Sequence, residues 1–130
     1  MQVPESLLYT KEHEWIKTEA DTAYIGVTDY AQDALGDIAY VEMPEIGAKL
    51  ERESVLCTLE SPKAVAEVFM PVDGVVIEVN SALEEEPGDI NTDPYGSWLA
   101  KVQLSEGSST QGLLKAEGYI EYLKTIDEAH

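Results

Sequence analysis

Glu60-Ser61-Pro62-Lys63-Ala64-Val65-Ala66-Glu67-Val68-Phe69-Met70-Pro71-Val72-Asp73-Gly74 is the most regular run in the chain, and its reading decides the fold class. Val55 to Glu60 reads as a strand, Ser61-Pro62-Lys63 as a turn, and Ala64 to Met70 as the returning strand. Pro62 presets φ, which suits the second position of a type I or II turn. Pro71-Val72-Asp73-Gly74 is a second turn, and Val75 to Val79 reads as a buried strand after it. Such a hairpin presents the Lys63 ammonium to solvent on a rigid base while its four-carbon stem stays free. On turn chemistry alone, Lys63 is an ordinary solvated lysine.

The same rhythm of short apolar stretches and frequent turns extends outward, as in an all-β domain. Glu14 to Thr18 and Ala23 to Val27 read as strands around Glu19-Ala20-Asp21. Thr28 can cap a short helix, with Asp29 in its first turn and Gly36 at its end. Ile38 to Glu42 reads as a strand stopped by Pro44 and Gly47. Asp93-Pro94-Tyr95-Gly96 is a turn, and Trp98 to Leu104 completes the sheet region. Ser105 to Gly112 is a polar connector. Leu113, Leu114, Ala116, Tyr119, Ile120 and Leu123 then recur at helical spacing, which predicts a C-terminal helix over about 115–126. Residues 1–130 are expected to form one domain, with that helix packed on it.

Composition narrows the function. A hydrophobic content of 44% suits a folded domain rather than a disordered one. Eight basic residues face 26 acidic ones, for a formal net charge of −18. That balance argues against nucleic acid or an anionic membrane as partner, and favours basic protein surfaces. No apolar run approaches a membrane span. The N-terminal Met1-Gln2-Val3-Pro4-Glu5-Ser6 resembles neither a signal peptide nor a transit peptide, so a cytoplasmic location is expected, with a mature organelle protein as the other reading. The lone Cys57 forms no internal disulfide and alternates with apolar neighbours, as a small buried hydrophobe would.

The 60–74 segment resembles the lipoylation motif of glycine cleavage H proteins, Glu-Ser-x-Lys-Ala followed by Pro-x-x-Gly. Glu60, Ser61, Lys63, Ala64 and Gly74 fill that motif, with Pro71 between them. Lys11-Glu12-His13-Glu14-Trp15 resembles the family's N-terminal His-Glu-Trp segment. Gly26 to Gln32, Leu35-Gly36-Asp37, Val41 to Pro44 and Gly47 resemble its next blocks. Glu78-Val79-Asn80, Leu83, Asn91, Asp93 to Gly96 and Trp98 resemble the closing one. The sequence departs from the pattern at Pro62, where a branched residue is usual, and at Ala66, where Ser is common. Gly96-Ser97-Trp98 is one residue shorter than the usual Gly-x-Gly-Trp.

The resemblance implies a mainly β fold, a barrel-sandwich hybrid of two antiparallel sheets like other lipoyl and biotinyl carriers, with short helices near both ends. It implies a non-catalytic carrier whose lipoate is joined to Lys63 as an amide by a lipoate ligase or a lipoyl/octanoyl transferase. It further implies three partner enzymes. A PLP-dependent glycine decarboxylase (P-protein) loads an aminomethyl group onto the arm. A tetrahydrofolate-dependent aminomethyltransferase (T-protein) removes it, and dihydrolipoamide dehydrogenase (L-protein) reoxidises the arm. Glu14 and Glu67 match positions associated with a cleft that shelters the cationic loaded arm, and Leu35 is expected to line it.

Other features read more plainly. No metal site is expected, because His13-Glu14 lacks a second ligand at helical spacing and His130, at the terminus, is expected to be mobile. Glu84-Glu85-Glu86 reads as a solvated loop, and Trp15 and Trp98 as core or half-buried anchors. No Ser-His-Asp, Cys-His or phosphate-loop arrangement appears. Among other carriers, a biotin carrier prefers Met on both sides of its lysine, whereas Lys63 has Pro62 and Ala64. A lipoyl domain of a 2-oxo acid dehydrogenase lacks the His-Glu-Trp segment and the C-terminal helix. An H-like relay protein in lipoate assembly or sulfur transfer is not separated by these residues.

Overall fold

The computed structural model describes residues 1–128; the expectation for His130 falls outside them. Ten strands and four helices run in the order β1 (Leu8–Tyr9), β2 (Glu14–Glu19), β3 (Thr22–Val27), α1 (Asp29–Leu35), β4 (Tyr40–Glu42), β5 (Lys49–Leu50), β6 (Val55–Ser61), β7 (Ala64–Phe69), β8 (Gly74–Val79), α2 (Ala82–Glu85), α3 (Asp89–Thr92), β9 (Ala100–Leu104), β10 (Leu114–Lys115) and α4 (Ala116–Glu128). A seven-stranded sheet has the order β10-β1-β2-β3-β9-β8-β5, and a three-stranded sheet has the order β4-β6-β7. Every pairing is antiparallel.

Burial alternates along β4 and β7 as a half-buried pleat requires, whereas β2 is buried over Glu14–Ile16 and exposed over 17–19. Inward residues of both sheets meet in one core, in which Ile25, Leu59, Val72, Leu99 and Val102 have no exposed surface. Each such aliphatic side chain contributes roughly 1.5–3 kcal/mol of burial. A second cluster joins α4 to the larger sheet. In it Tyr119 stacks on Tyr9 with centroids 4.7 Å apart, and Trp15, Ala116 and Leu123 close around them.

Thr28 caps α1 as its sequence position predicts, its Oγ1 accepting the Ala31 N–H at 3.3 Å. Gly36 ends α1 at φ +80°, and its N–H bonds the Gln32 carbonyl. Thr28 also meets the Tyr119 hydroxyl at 2.7 Å, and that hydroxyl lies 2.8 Å from His13 Nδ1. Burial lowers the His13 pKa, and the Thr28, Tyr119 and His13 side chains form one hydrogen-bonded chain whose direction follows the His13 tautomer. One hydroxyl thereby ties α4 to the cap of α1 and to the residue before Glu14.

The mainly β class, the 55–79 hairpins and the C-terminal helix agree with the sequence reading. The strands read from Ile38 and from Trp98 begin only at Tyr40 and Ala100, and further details differ. Ser61 pairs with Ala64, so the turn is Pro62-Lys63 alone. The Val75–Val79 strand is only half buried, because the register shifts between Val76 and Glu78 and leaves Ile77 40% exposed. Glu84 and Glu85 stand in α2 rather than in a loop, anchored by the buried Leu83, although all three carboxylates of the run are exposed as expected.

Candidate functional site

Lys63 occupies the outer position of a two-residue loop between β6 and β7, and both loop residues are exposed. Neither has positive φ, which leaves type I of the two turns that Pro62 permits. The tip is held from below. Ser61 Oγ donates to the Leu35 carbonyl at 2.7 Å and accepts the Ala64 N–H at 3.2 Å. The lysine stem crosses Gly36, where an added Cβ would stand 3.1 Å from Lys63 Cε. Only a glycine gives both the positive φ and the clear floor. Among the described residues the ion pairs are Lys17–Glu19 and Lys124–Glu121, so Lys63 keeps a free amine.

The floor itself is fastened by Asn91. Its Nδ2 donates to the Gly36 carbonyl at 2.8 Å and to Gln32 Oε1 at 3.0 Å, and its Oδ1 accepts the Ile38 N–H at 2.8 Å. Asn91 therefore fixes the exit of α1 from the neighbouring α3. Sequence reasoning read Gly36 as the end of the short helix but not as the floor beneath Lys63, and it placed Asn91 only within a family block. No local pattern could assign their roles, because the partners lie more than 50 positions apart for Asn91.

β7 leads from Lys63 to Glu14. Five strand steps from Ala64 to Phe69 rise about 17 Å. β7 is an edge strand, and α1 packs against it. At its far end the Phe69 N–H donates to Glu14 Oε2 at 3.1 Å, while Thr10 donates to Glu14 Oε1 at 2.6 Å. Glu14 is 2% exposed, not a surface carboxylate. Burial pushes its pKa up to about 7, against those two hydrogen bonds, which favour the anion. Glu14 also walls a cavity of about 490 Å³ shared with Lys11, Arg52, Phe69 and Leu113.

The other sequence-derived positions are spread more widely. Leu35 is half-buried beside the tip, its side chain on the core and its carbonyl on Ser61. Glu67 is exposed on β7, two residues before Phe69. Glu60 is half-buried in β6, opposite Val65 on one side and Tyr40 on the other. Gly74 lies in the other sheet, where a Cβ would come within 2.9 Å of the Gln103 carbonyl oxygen, so its local work is strand packing. Cys57 is buried, and that burial, with Glu14 nearby, pushes its thiol up to about 12, in keeping with a packing role. Trp15 is buried and donates to the Pro94 carbonyl, while Trp98 is half-buried. The described residues hold no cluster of metal-ligating side chains. No helix among them is long and apolar enough to cross a membrane.

The chain was then compared with known proteins. The family model described as glycine cleavage H-protein matches residues 7–126. The chain is 52% identical over 125 residues to glycine cleavage system H protein 1 of Caldanaerobacter subterraneus subsp. tengcongensis, covering 96% of this chain and 100% of that one. It is 51% identical over 127 residues to the probable glycine cleavage system H protein of Pyrococcus horikoshii, covering 96% and 95%. Its fold resembles the crystal structure of a glycine cleavage system H protein from Mycobacterium marinum, with a TM-score of 0.84, 34% identity, and coverage of 96% and 99%.

Proposed function

The chain belongs to the glycine cleavage H-protein family, and on that premise we propose that it is a non-catalytic cytoplasmic carrier whose lipoyl arm is attached to Lys63. The observation that carries this reading is the free amine of Lys63, held over the bare floor of Gly36 at a hairpin tip. An amide at Nζ needs a nucleophile without a competing partner and room around its stem, and both conditions are met. Glu60, Ser61, Ala64 and Gly74 supply the motif, Ser61 by fixing the tip to α1.

When attached, a lipoyl group supplies a disulfide that takes an aminomethyl group from the PLP-dependent glycine decarboxylase and yields it to the tetrahydrofolate-dependent aminomethyltransferase, with dihydrolipoamide dehydrogenase restoring the disulfide. The residues of this chain hold and orient. Leu35 walls the start of the path along β7. Glu14 waits at its end as a buried carboxyl, and Glu67 stands on the exposed rim between them. A cationic amine arriving beside Glu14 favours the ionised acid and reverses the effect of burial.

The assignment is tested by co-expression with a lipoate ligase and lipoate. Intact mass should rise by one lipoyl group, and a peptide map should place it on Lys63. Lys63→Arg should gain none, because the guanidinium does not form that amide. A lipoyl group on Lys49 or Lys101 would reject the assignment.

A further inference from the structure

One wall of the Glu14 cavity is connector rather than sheet. Gly112 and Leu113, at the end of the polar segment that follows β9, line it together with Arg52. Two clips hold that segment. The first is Asp73, in the turn between β7 and β8, whose carbonyl accepts the Ser105 N–H at 3.2 Å and the Ser108 hydroxyl at 3.0 Å. The second is Arg52, whose Nη1 donates to the Gln111 carbonyl at 2.8 Å, 59 positions away in sequence. Asp73 secures the second clip as well, its Oδ1 accepting the Arg52 N–H at 2.7 Å. At Gly112 φ is +88°, and an added Cβ would stand 3.3 Å from Arg52 Nη2. Glycine lets the guanidinium lie against the backbone where the chain turns into β10.

Arg52 is the sole arginine of a chain with 26 acidic residues, yet it forms no ion pair among the described residues. Its position therefore answers to something other than charge pairing. Both terminal nitrogens lie on the 111–112 backbone, and the charge that acts on the Glu14 carboxyl is that of Glu12. No residue from Ser105 to Gly112 is buried, so the segment rests on these polar contacts and on Leu113, which packs against the core. We propose that Arg52 is a positioning residue, which clamps the connector as a wall of the Glu14 cavity and keeps bulk water off one flank of a cationic cargo lodged there. The inference rests on the carrier reading above, in which the loaded end of the arm reaches Glu14. A cavity of about 490 Å³ has room for many waters, so shelter depends on how firmly its walls are held. A guanidinium donor makes a stronger clamp than a neutral one, although its exposure to solvent moderates the effect.

The test uses the full chain and two readouts. Arg52→Met keeps the stem and removes the donors. In the protein without its arm, amide hydrogen exchange over residues 105–113 should be about fivefold faster in this variant, with an unchanged thermal melt. In lipoylated protein loaded from glycine by a glycine decarboxylase, water displaces the cargo from sulfur as formaldehyde and ammonium and leaves the thiol. That loss should be about threefold faster in Arg52→Met. Arg52→Lys, which keeps a cationic donor, should fall between the two in both readouts. Gly112→Ala, whose Cβ forces the guanidinium back, should act in the same direction, and carries the test if Arg52→Met does not fold. Lys17→Met removes a cation that does not line the cavity and should match wild type. Exchange and loss rates indistinguishable from wild type would overturn the role of Arg52. Faster loss without faster exchange would also overturn it, since Arg52 would then act on the cargo rather than through the wall. A wild-type chain that accepts no lipoyl group would instead overturn the carrier reading, and this inference with it.

Discussion

Glu14 shows how one carboxyl can serve packing and chemistry together. Burial moves its pKa from an ordinary 4.5 to about 7, so the fold favours the neutral acid. That preference contributes stability that is complete below the ordinary value and is lost as pH rises through 7. The amount at stake is about 3 kcal/mol. Glu14→Gln has no such titration. Denaturant melts should therefore show wild type losing about 2–3 kcal/mol relative to the variant between about pH 5 and about pH 8. A parallel pair of profiles would mean that Glu14 titrates as a free carboxyl. This behaviour was not legible in the sequence, where Glu14 resembles any polar strand residue. Its burial comes from Thr10 and Phe69, and the second is 55 positions away. The turn that carries Lys63 was legible, because Pro62 and the flanking alternation mark it within a few residues, whereas the acceptor role proposed for Lys63 came only from the resemblance.

At the scale of elements, the lysine hairpin does not stand alone. Ser61 ties it to the end of α1, and Asn91 ties that end to α3. Asn91→Ala removes three hydrogen bonds and leaves the Ile38 N–H without its acceptor. We expect a loss of about 2 kcal/mol in a urea melt. The same variant should slow lipoylation of Lys63, since the floor beneath it is no longer held. An unchanged melt would show that the α1 exit is fixed by other contacts. The long strands, α1 and α4 were legible because period and caps extend over several residues. β1, β5 and β10 were not, because two residues have no period. They exist only because β2 and β8 offer edges to β1 and β5, and β1 in turn offers one to β10. The α2 segment was hidden for a related reason, since a run of glutamates reads as loop until Leu83 is seen to be buried.

For the whole molecule, the core and the arm site are separable. Leu59 has no exposed surface and Val76 is 1% exposed, so truncating either to alanine should cost on the order of 1–4 kcal/mol. Lys63→Ala should change stability by no more than about 0.5 kcal/mol, since its side chain lies in solvent at a turn. Chemical denaturation of the three variants decides the contrast, and a large loss at Lys63 would make it a structural residue. The sheet class was readable from turn spacing, but the division into seven and three strands was not, because pairing between distant strands leaves no local trace. That division leaves β7 at an edge. By the alternation that gives the Phe69 N–H to Glu14, the backbone groups of Val65 and Glu67 face outward without a strand beside them. An open edge is also a template on which a second copy of the chain can polymerise. Antiparallel stacking of one β7 on another would bring glutamates of like charge together. That repulsion acts in the register centred on Glu67, the one glutamate of β7, and disfavours self-pairing there.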